Sequence, residues 1–155
     1  MLKTVKRTSF RANQASFAVV ASQYNARYVD AMLRAAKAEL KQAGAKSIQV
    51  IRVPGAYEIP VVAARLAREG SVSAIVCLGV ILRGETAHAT HIGEAVSQAL
   101  MQIQLRYEVP VIHEVLLLDN EEQARVRCLG RKHNRGAEAA QTALAMAHVM
   151  EKLNP

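Results

Sequence analysis

Arg83, Gly84, Glu85, Thr86, Ala87 and His88 place a guanidinium, a glycine, a carboxylate, a hydroxyl and an imidazole in one short run. Imidazole has an unperturbed pKa of about 6.5, so it both gives and takes a proton near neutral pH. Glycine lets backbone approach a ligand closely, and the N–H groups that open a helix attract anions. His91 and Glu94 follow His88 at helical spacing, which leaves three readings for the histidines: metal ligands, acid/base groups, or surface and core side chains. Metal is the weaker one. No third ligand of known proximity is evident, and the metalloprotease pattern has histidines four apart with glutamate after the first. For acid/base work His88, nearer the loop, is the better candidate.

Other groups could work with that loop. Tyr24 and Tyr57 follow strand-like runs where a flat ligand could stack, although tyrosine in such places is as readily plain packing. Val53, Pro54, Gly55, Ala56, Tyr57 and Glu58 combine a forced turn with a carboxylate. Arg125, Arg127, Arg131, Lys132, His133 and Arg135 form a basic cluster that reads as a solvated face, a nucleic-acid patch or a phosphate clamp. Base stacking is helped by interleaved aromatics, which the cluster lacks, so the clamp gains ground. A formal charge of +7 fits an anionic partner without choosing one.

The elements that must position these groups are legible in the hydropathy. Residues 74–82 are almost unbroken aliphatic without alternation, as in a strand covered on both faces of a parallel sheet. Residues 17–21, 47–53 and 111–118 read as further strands. Helical spacing appears at Val29, Met32, Leu33, Ala36 and Leu40 before Gly44, then from Pro60 to Arg68 before Gly70. It returns at Ile92, Val96, Ala99, Leu100 and Ile103, from about Thr90 to Tyr107. Asp119 and Asn120 are placed to cap a short helix bearing Arg125 and Arg127, with Gln123 reaching back. After a break at residues 129–136, a terminal helix presents Ala140, Leu144 and Ala147. Strands alternating with helices predict an α/β fold: a three-layer sandwich whose four-stranded, parallel, flavodoxin-like sheet is flanked by helices. The loops at residues 24–25, 54–58 and 83–88 then share the carboxyl-end edge of the sheet, where open α/β sheets bind ligands.

The chain has 155 residues, about one domain's length. Residues 16–155 are read as that domain, behind a basic, solvated arm of residues 1–15 that contains Lys3, Lys6, Arg7 and Arg11. No apolar stretch follows those charges, so neither a signal peptide nor a membrane span is expected. Cys77 and Cys128 have no metal-like spacing and read as free thiols in a reducing compartment, the cytoplasm. With aromatics at 4%, the core must be aliphatic and alanine-rich.

Three separated motifs carry a resemblance: Val53-Pro54-Gly55-Ala56-Tyr57-Glu58, Gly84-Glu85-Thr86-Ala87-His88 and Gly136-Ala137-Glu138-Ala139-Ala140. In order and spacing, over residues 16–153, the chain resembles the lumazine synthases of riboflavin biosynthesis. The resemblance implies a transferase that condenses 5-amino-6-(D-ribitylamino)uracil with 3,4-dihydroxy-2-butanone 4-phosphate, using no cofactor and no metal. By position, it implies that His88 moves protons and that Arg127 binds the substrate phosphate together with donors from Gly84, Glu85 and Thr86. It also implies that Tyr24 stacks on the pyrimidine, that Ala56 and Glu58, on either side of Tyr57, hold the ribityl chain, and that Val80, Ile81 and Leu82 lie along the ring. Arg135 matches a family lysine near that ring. A homo-oligomer is implied too, a pentamer or an assembly of pentamers, in which His113, Arg127 and Arg135 come from the adjoining chain.

The chain departs from the commoner family pattern at several places. His113 stands where many members have phenylalanine, Val80 where threonine is common, and Ala89, Thr90 and His91 replace an aromatic-acidic run. Residues 130–135 differ from the usual glycine- and lysine-rich form. These departures bear on pyrimidine affinity and rate more than on reaction class. The alternative is a non-catalytic module of the same fold holding a flavin or phosphorylated ligand, or a basic RNA-binding protein. Under the family reading neither nucleic acid nor membrane is a partner.

Overall fold

The computed structural model describes residues 9–154, so Lys3, Lys6 and Arg7 of the basic arm lie outside the described residues. Strands β1 (Ser16–Ser22), β2 (Ser47–Val53), β3 (Ala74–Leu82) and β4 (Val111–Leu118) form one all-parallel sheet in the order β2-β1-β3-β4. Helices α1 (Ala26–Gln42), α2 (Ile59–Glu69), α3 (His88–Tyr107), α4 (Glu121–Cys128) and α5 (Arg135–Leu153) cover it, which gives the predicted three layers. Alternate residues of β1 sort those layers. Phe17, Val19 and Ala21 pack with α1 and α5, whereas Ala18 and Val20 pack with α2 and α3. In β3, residues 74–78 have no exposed surface at all, as an uncharged run between two helix layers requires.

Side-chain caps fix the helices that follow β4. Tyr28 Oη of α1 donates to the Glu121 carboxylate of α4. Asn134 Oδ1 accepts from the Gly136 and Ala137 N–H groups at 2.9 and 3.3 Å, and its Nδ2 donates to the Cys128 carbonyl at 2.7 Å. One side chain thus caps α5 and ties it to the end of α4. Nearby, α5 passes against α1 so closely that a Cβ built on Gly136 would stand 2.0 Å from the Met32 carbonyl oxygen.

Some expectations need correction. α3 opens at His88, not about Thr90, so the proposed acid/base residue sits in the first turn of the helix rather than in the loop. Asn120 caps α4 by accepting from the Gln123 N–H at 2.9 Å, but Gln123 Oε1 accepts from the Asp119 N–H at 3.0 Å, one residue earlier than a capping box would have it. The described end of the arm, residues 9–15, is solvated only in part: Ser9, Arg11, Asn13 and Gln14 are exposed, but the segment is also anchored. Ala12 is buried and its N–H donates to the Ala43 carbonyl at 2.8 Å, while the Phe10 ring lies 5.4 Å from the His148 ring of α5. Among the described residues no helix is long and apolar enough to cross a membrane.

Candidate functional site

A cavity of about 690 Å³ opens at the carboxyl ends of the first three strands. Tyr24 and Asn25 line it after β1; Gly55, Ala56, Tyr57 and Glu58 after β2; Val80, Ile81 and Leu82 at the end of β3; and His88, His91, Ile92 and Ala95 along α3. Parallel strands bring their carboxyl ends to one edge, so residues far apart in the chain meet there. Another cavity, of about 560 Å³, is lined by Ala12, Ser73, Pro110 and His148, and none of the predicted site residues borders it.

Local geometry holds the aromatic and the acid in place. Asn25 adopts a left-handed φ of 56°, and its Nδ2 donates to the Val80 carbonyl at 2.7 Å, fastening the first loop to the end of β3. Its neighbour Tyr24 is left 70% exposed. Glu58 Oε2 accepts from the Gly55 N–H at 2.9 Å, and a Cβ at Gly55 would stand 2.9 Å from that oxygen and 3.0 Å from the Tyr24 ring. A glycine is therefore what lets ring and carboxylate share the mouth. Exposed aromatics, an aliphatic wall and a few polar groups suit a flat, partly polar ligand.

The loop between β3 and α3 divides into a fastener and an open part. Arg83 pairs with Asp119 at 2.8 Å and donates to Thr90 Oγ1 at 2.9 Å, so this guanidinium staples the loop to the end of β4 and to α3. Gly84, Glu85 and Thr86, predicted to bind substrate, are exposed and are not part of the cavity lining. Thr86 Oγ1 accepts from the His88 N–H at 3.4 Å, a long contact, and the N-cap Ala87 has no side-chain acceptor. The first turn of α3 therefore has N–H groups available to an outside acceptor.

His113, Arg127 and Arg135 do not line this cavity. His113 faces α3: its Nδ1 accepts from the Val115 N–H at 3.2 Å, and its Nε2 lies 2.7 Å from Ser97 Oγ, which donates to the Gly93 carbonyl at 2.8 Å. This chain of donors assigns the proton to Nε2, and desolvation beside α3 lowers the pKa of the imidazole. Arg127, on α4, donates to the Gln123 carbonyl at 3.5 Å and has no carboxylate partner among the described residues, unlike Arg83, Arg125 and Arg135. Arg135 opens α5 and pairs with Glu114 at 2.7 Å and Glu138 at 2.9 Å.

Sequence reasoning placed Asn25 in a site loop but gave it no role, and it missed Glu114. The first needs a left-handed backbone that only its residue type hints at. The signal for the second is a lone acid inside the apolar run of β4.

Neither cysteine borders the cavity. Burial pushes Cys77 up to about 12 and Cys128 up to about 11, so both are thiols at neutral pH. The folded protein should react with an aromatic disulfide reagent far more slowly than the same protein in denaturant, read as thiolate release per chain. Rapid labelling of the native form would overturn that assignment. Among the described residues no three His, Cys, Asp or Glu side chains group closely enough to hold a metal ion.

Known proteins share this arrangement of sequence. The family model for 6,7-dimethyl-8-ribityllumazine synthase matches residues 14–151. A protein of that name from Xanthomonas euvesicatoria is 41% identical over 145 residues, spanning 92% of this chain and 94% of its own. One from Stenotrophomonas maltophilia is 42% identical over 141 residues, spanning 90% and 91%. Since the match takes in all four strands and every wall of the cavity, this chain belongs to the 6,7-dimethyl-8-ribityllumazine synthase family.

Proposed function

We propose that the chain condenses 5-amino-6-(D-ribitylamino)uracil with 3,4-dihydroxy-2-butanone 4-phosphate to 6,7-dimethyl-8-(D-ribityl)lumazine, releasing phosphate and water. The observation that carries this reading is the meeting of Tyr24, Glu58 and His88 in one cavity of a chain from this family. The Tyr24 ring stacks on the pyrimidine, whose other edge runs along Val80, Ile81 and Leu82. Glu58 accepts from ribityl hydroxyls, with Ala56 and Tyr57 beside it. Imine formation, phosphate elimination and ring closure each move a proton, and His88, at the mouth of α3, is the group that moves it. The backbone N–H groups at Gly84, Glu85 and Thr86 and the first turn of α3 receive the phosphate.

The phosphate needs a countercharge that the cavity walls do not supply. Arg127 fits the need, as a guanidinium with no carboxylate partner among the described residues. It lies on α4, which packs against α1, whereas the cavity is walled by α3. This separation supports a homo-oligomer in which Arg127 of one chain completes the cavity of the next, and the family resemblance implies that this oligomer is a pentamer whose shared site also takes Arg135 and His113. The compartment we propose is the cytoplasm, in keeping with two reduced thiols.

Incubation with both substrates should produce lumazine fluorescence, and a protein that binds but never condenses them would return the flavin- or phosphate-binding alternative. Arg127→Ala should then raise KM for the butanone phosphate roughly ten-fold or more, because charge-assisted hydrogen bonds contribute about 1.5–3 kcal/mol each. KM for the pyrimidine should stay put, and inhibition by inorganic phosphate should weaken. Arg127→Lys, with charge but no fork, should fall between. An equal rise in both KM values would remove Arg127 from the phosphate site.

A further inference from the structure

Glu114 is a carboxylate in an apolar strand, its side chain only 7% exposed. It lies on β4, an edge strand of the sheet, and faces away from α3 towards the start of α5. There it meets Arg135, whose Nε donates to Glu114 Oε1 at 2.7 Å while Nη1 donates to Glu138 Oε2 at 2.9 Å. Those two bonds fix the plane of the guanidinium and leave Nη2 without a partner among the described residues. Arg135 keeps 34% of its side-chain surface, so the group is open to a ligand from outside. Two carboxylates on one guanidinium leave the cluster negative when both are ionised, which weakens its pull on an anion but not its hydrogen bond to a neutral acceptor. Arg127, with no carboxylate partner, is the opposite case.

We propose that Glu114 is a positioning residue for the shared site: it turns Arg135 so that Nη2 faces the ligand, and with Glu138 it reserves that nitrogen for a neutral acceptor, a ring carbonyl of the pyrimidine, rather than for phosphate. This rests on the shared-site reading above. Burial raises the Glu114 carboxyl against the opposing pull of Arg135, so the pair is a poor device for stability and a good one for orientation.

The test is Glu114→Gln, which removes the charge and offers Nε–H only a weaker, neutral acceptor that no longer holds the guanidinium in place. KM for the pyrimidine should rise roughly ten-fold with kcat nearly unchanged, KM for the butanone phosphate should not rise, and inorganic phosphate should inhibit more strongly. Glu114→Asp should recover part of the pyrimidine effect. In an Arg135→Met background, Glu114→Gln should add nothing further. An unchanged pyrimidine KM, an equal rise for both substrates, or the same rise in the Arg135→Met background would overturn the assignment. Should Glu114→Gln fail to fold, Glu114→Asp must itself show a smaller selective rise in the pyrimidine KM, since it keeps the charge and shortens the reach to Nε.

Calorimetric titration with the pyrimidine alone reads the same change without turnover. A wild type that binds it and never turns over would overturn the reaction and leave the Glu114 assignment to the titration. A wild type that neither binds nor turns over would overturn both.

Discussion

Alanine at His88 should lower kcat by about 10- to 10⁴-fold, the usual worth of a positioned acid/base group, with pyrimidine binding little changed. The lower end is expected, because an amine and a ketone also condense slowly unaided. His88 stands in the first turn of α3, on the cavity wall, and among the described residues no side chain hydrogen-bonds its ring. The imidazole is therefore free to follow a proton from the amine to the leaving phosphate. Initial rates of lumazine formation at saturating substrates measure the effect. A kcat equal to that of the wild type across neutral pH would take His88 out of the chemistry.

Gly136→Ala should be the most damaging small substitution in the chain. The added methyl would stand 2.0 Å from Met32 O and 2.5 Å from Met32 C and Cα. Those atoms are backbone of α1, so no side chain can swing aside and the two helices must separate. Overpacking ordinarily costs about 1–3 kcal/mol, and a backbone clash belongs at or above the top of that range. For a domain of this size each kcal/mol lowers Tm by about 2–4 °C, so a fall of roughly 10 °C or loss of soluble protein is expected. Gly84→Ala is the control, since its Cβ meets nothing within 4 Å. Melting curves of the two variants that coincide would show that α1 and α5 are not packed as described.

The strands were legible because their chemistry is local. β2, β3 and β4 run over the residues that their apolar character predicts, and β3 is uncharged because helices cover both its faces. The start of α3 was less so: Ala87, His88 and Ala89 carry no cap or apolar period, and only the tertiary position of the loop decides where the helix opens. On the cavity wall, Tyr24, Glu58 and His88 could be gathered by topology alone, since strand ends share an edge. Glu114 could not, because its partner Arg135 lies on another element and no spacing rule links them. Likewise the fit of Gly136 against Met32 depends on how two helices cross, which the pattern of neither helix encodes.

The order β2-β1-β3-β4 also governs how the chain can fold as it is made. The middle of the sheet joins β1 to β3, which are not consecutive, so β1 and β2 are both made before the strand that must cover the other edge of β1. When β3 emerges from the ribosome it is the most apolar strand, uncharged along its whole length and flanked directly by a charge only at Arg83. It stays half-paired until α3 and β4 have followed. Pairing between distant segments is slow, and an unpaired apolar edge is prone to self-association. Fast translation or high temperature should therefore send this protein into aggregates through β3, whatever the stability of the finished fold.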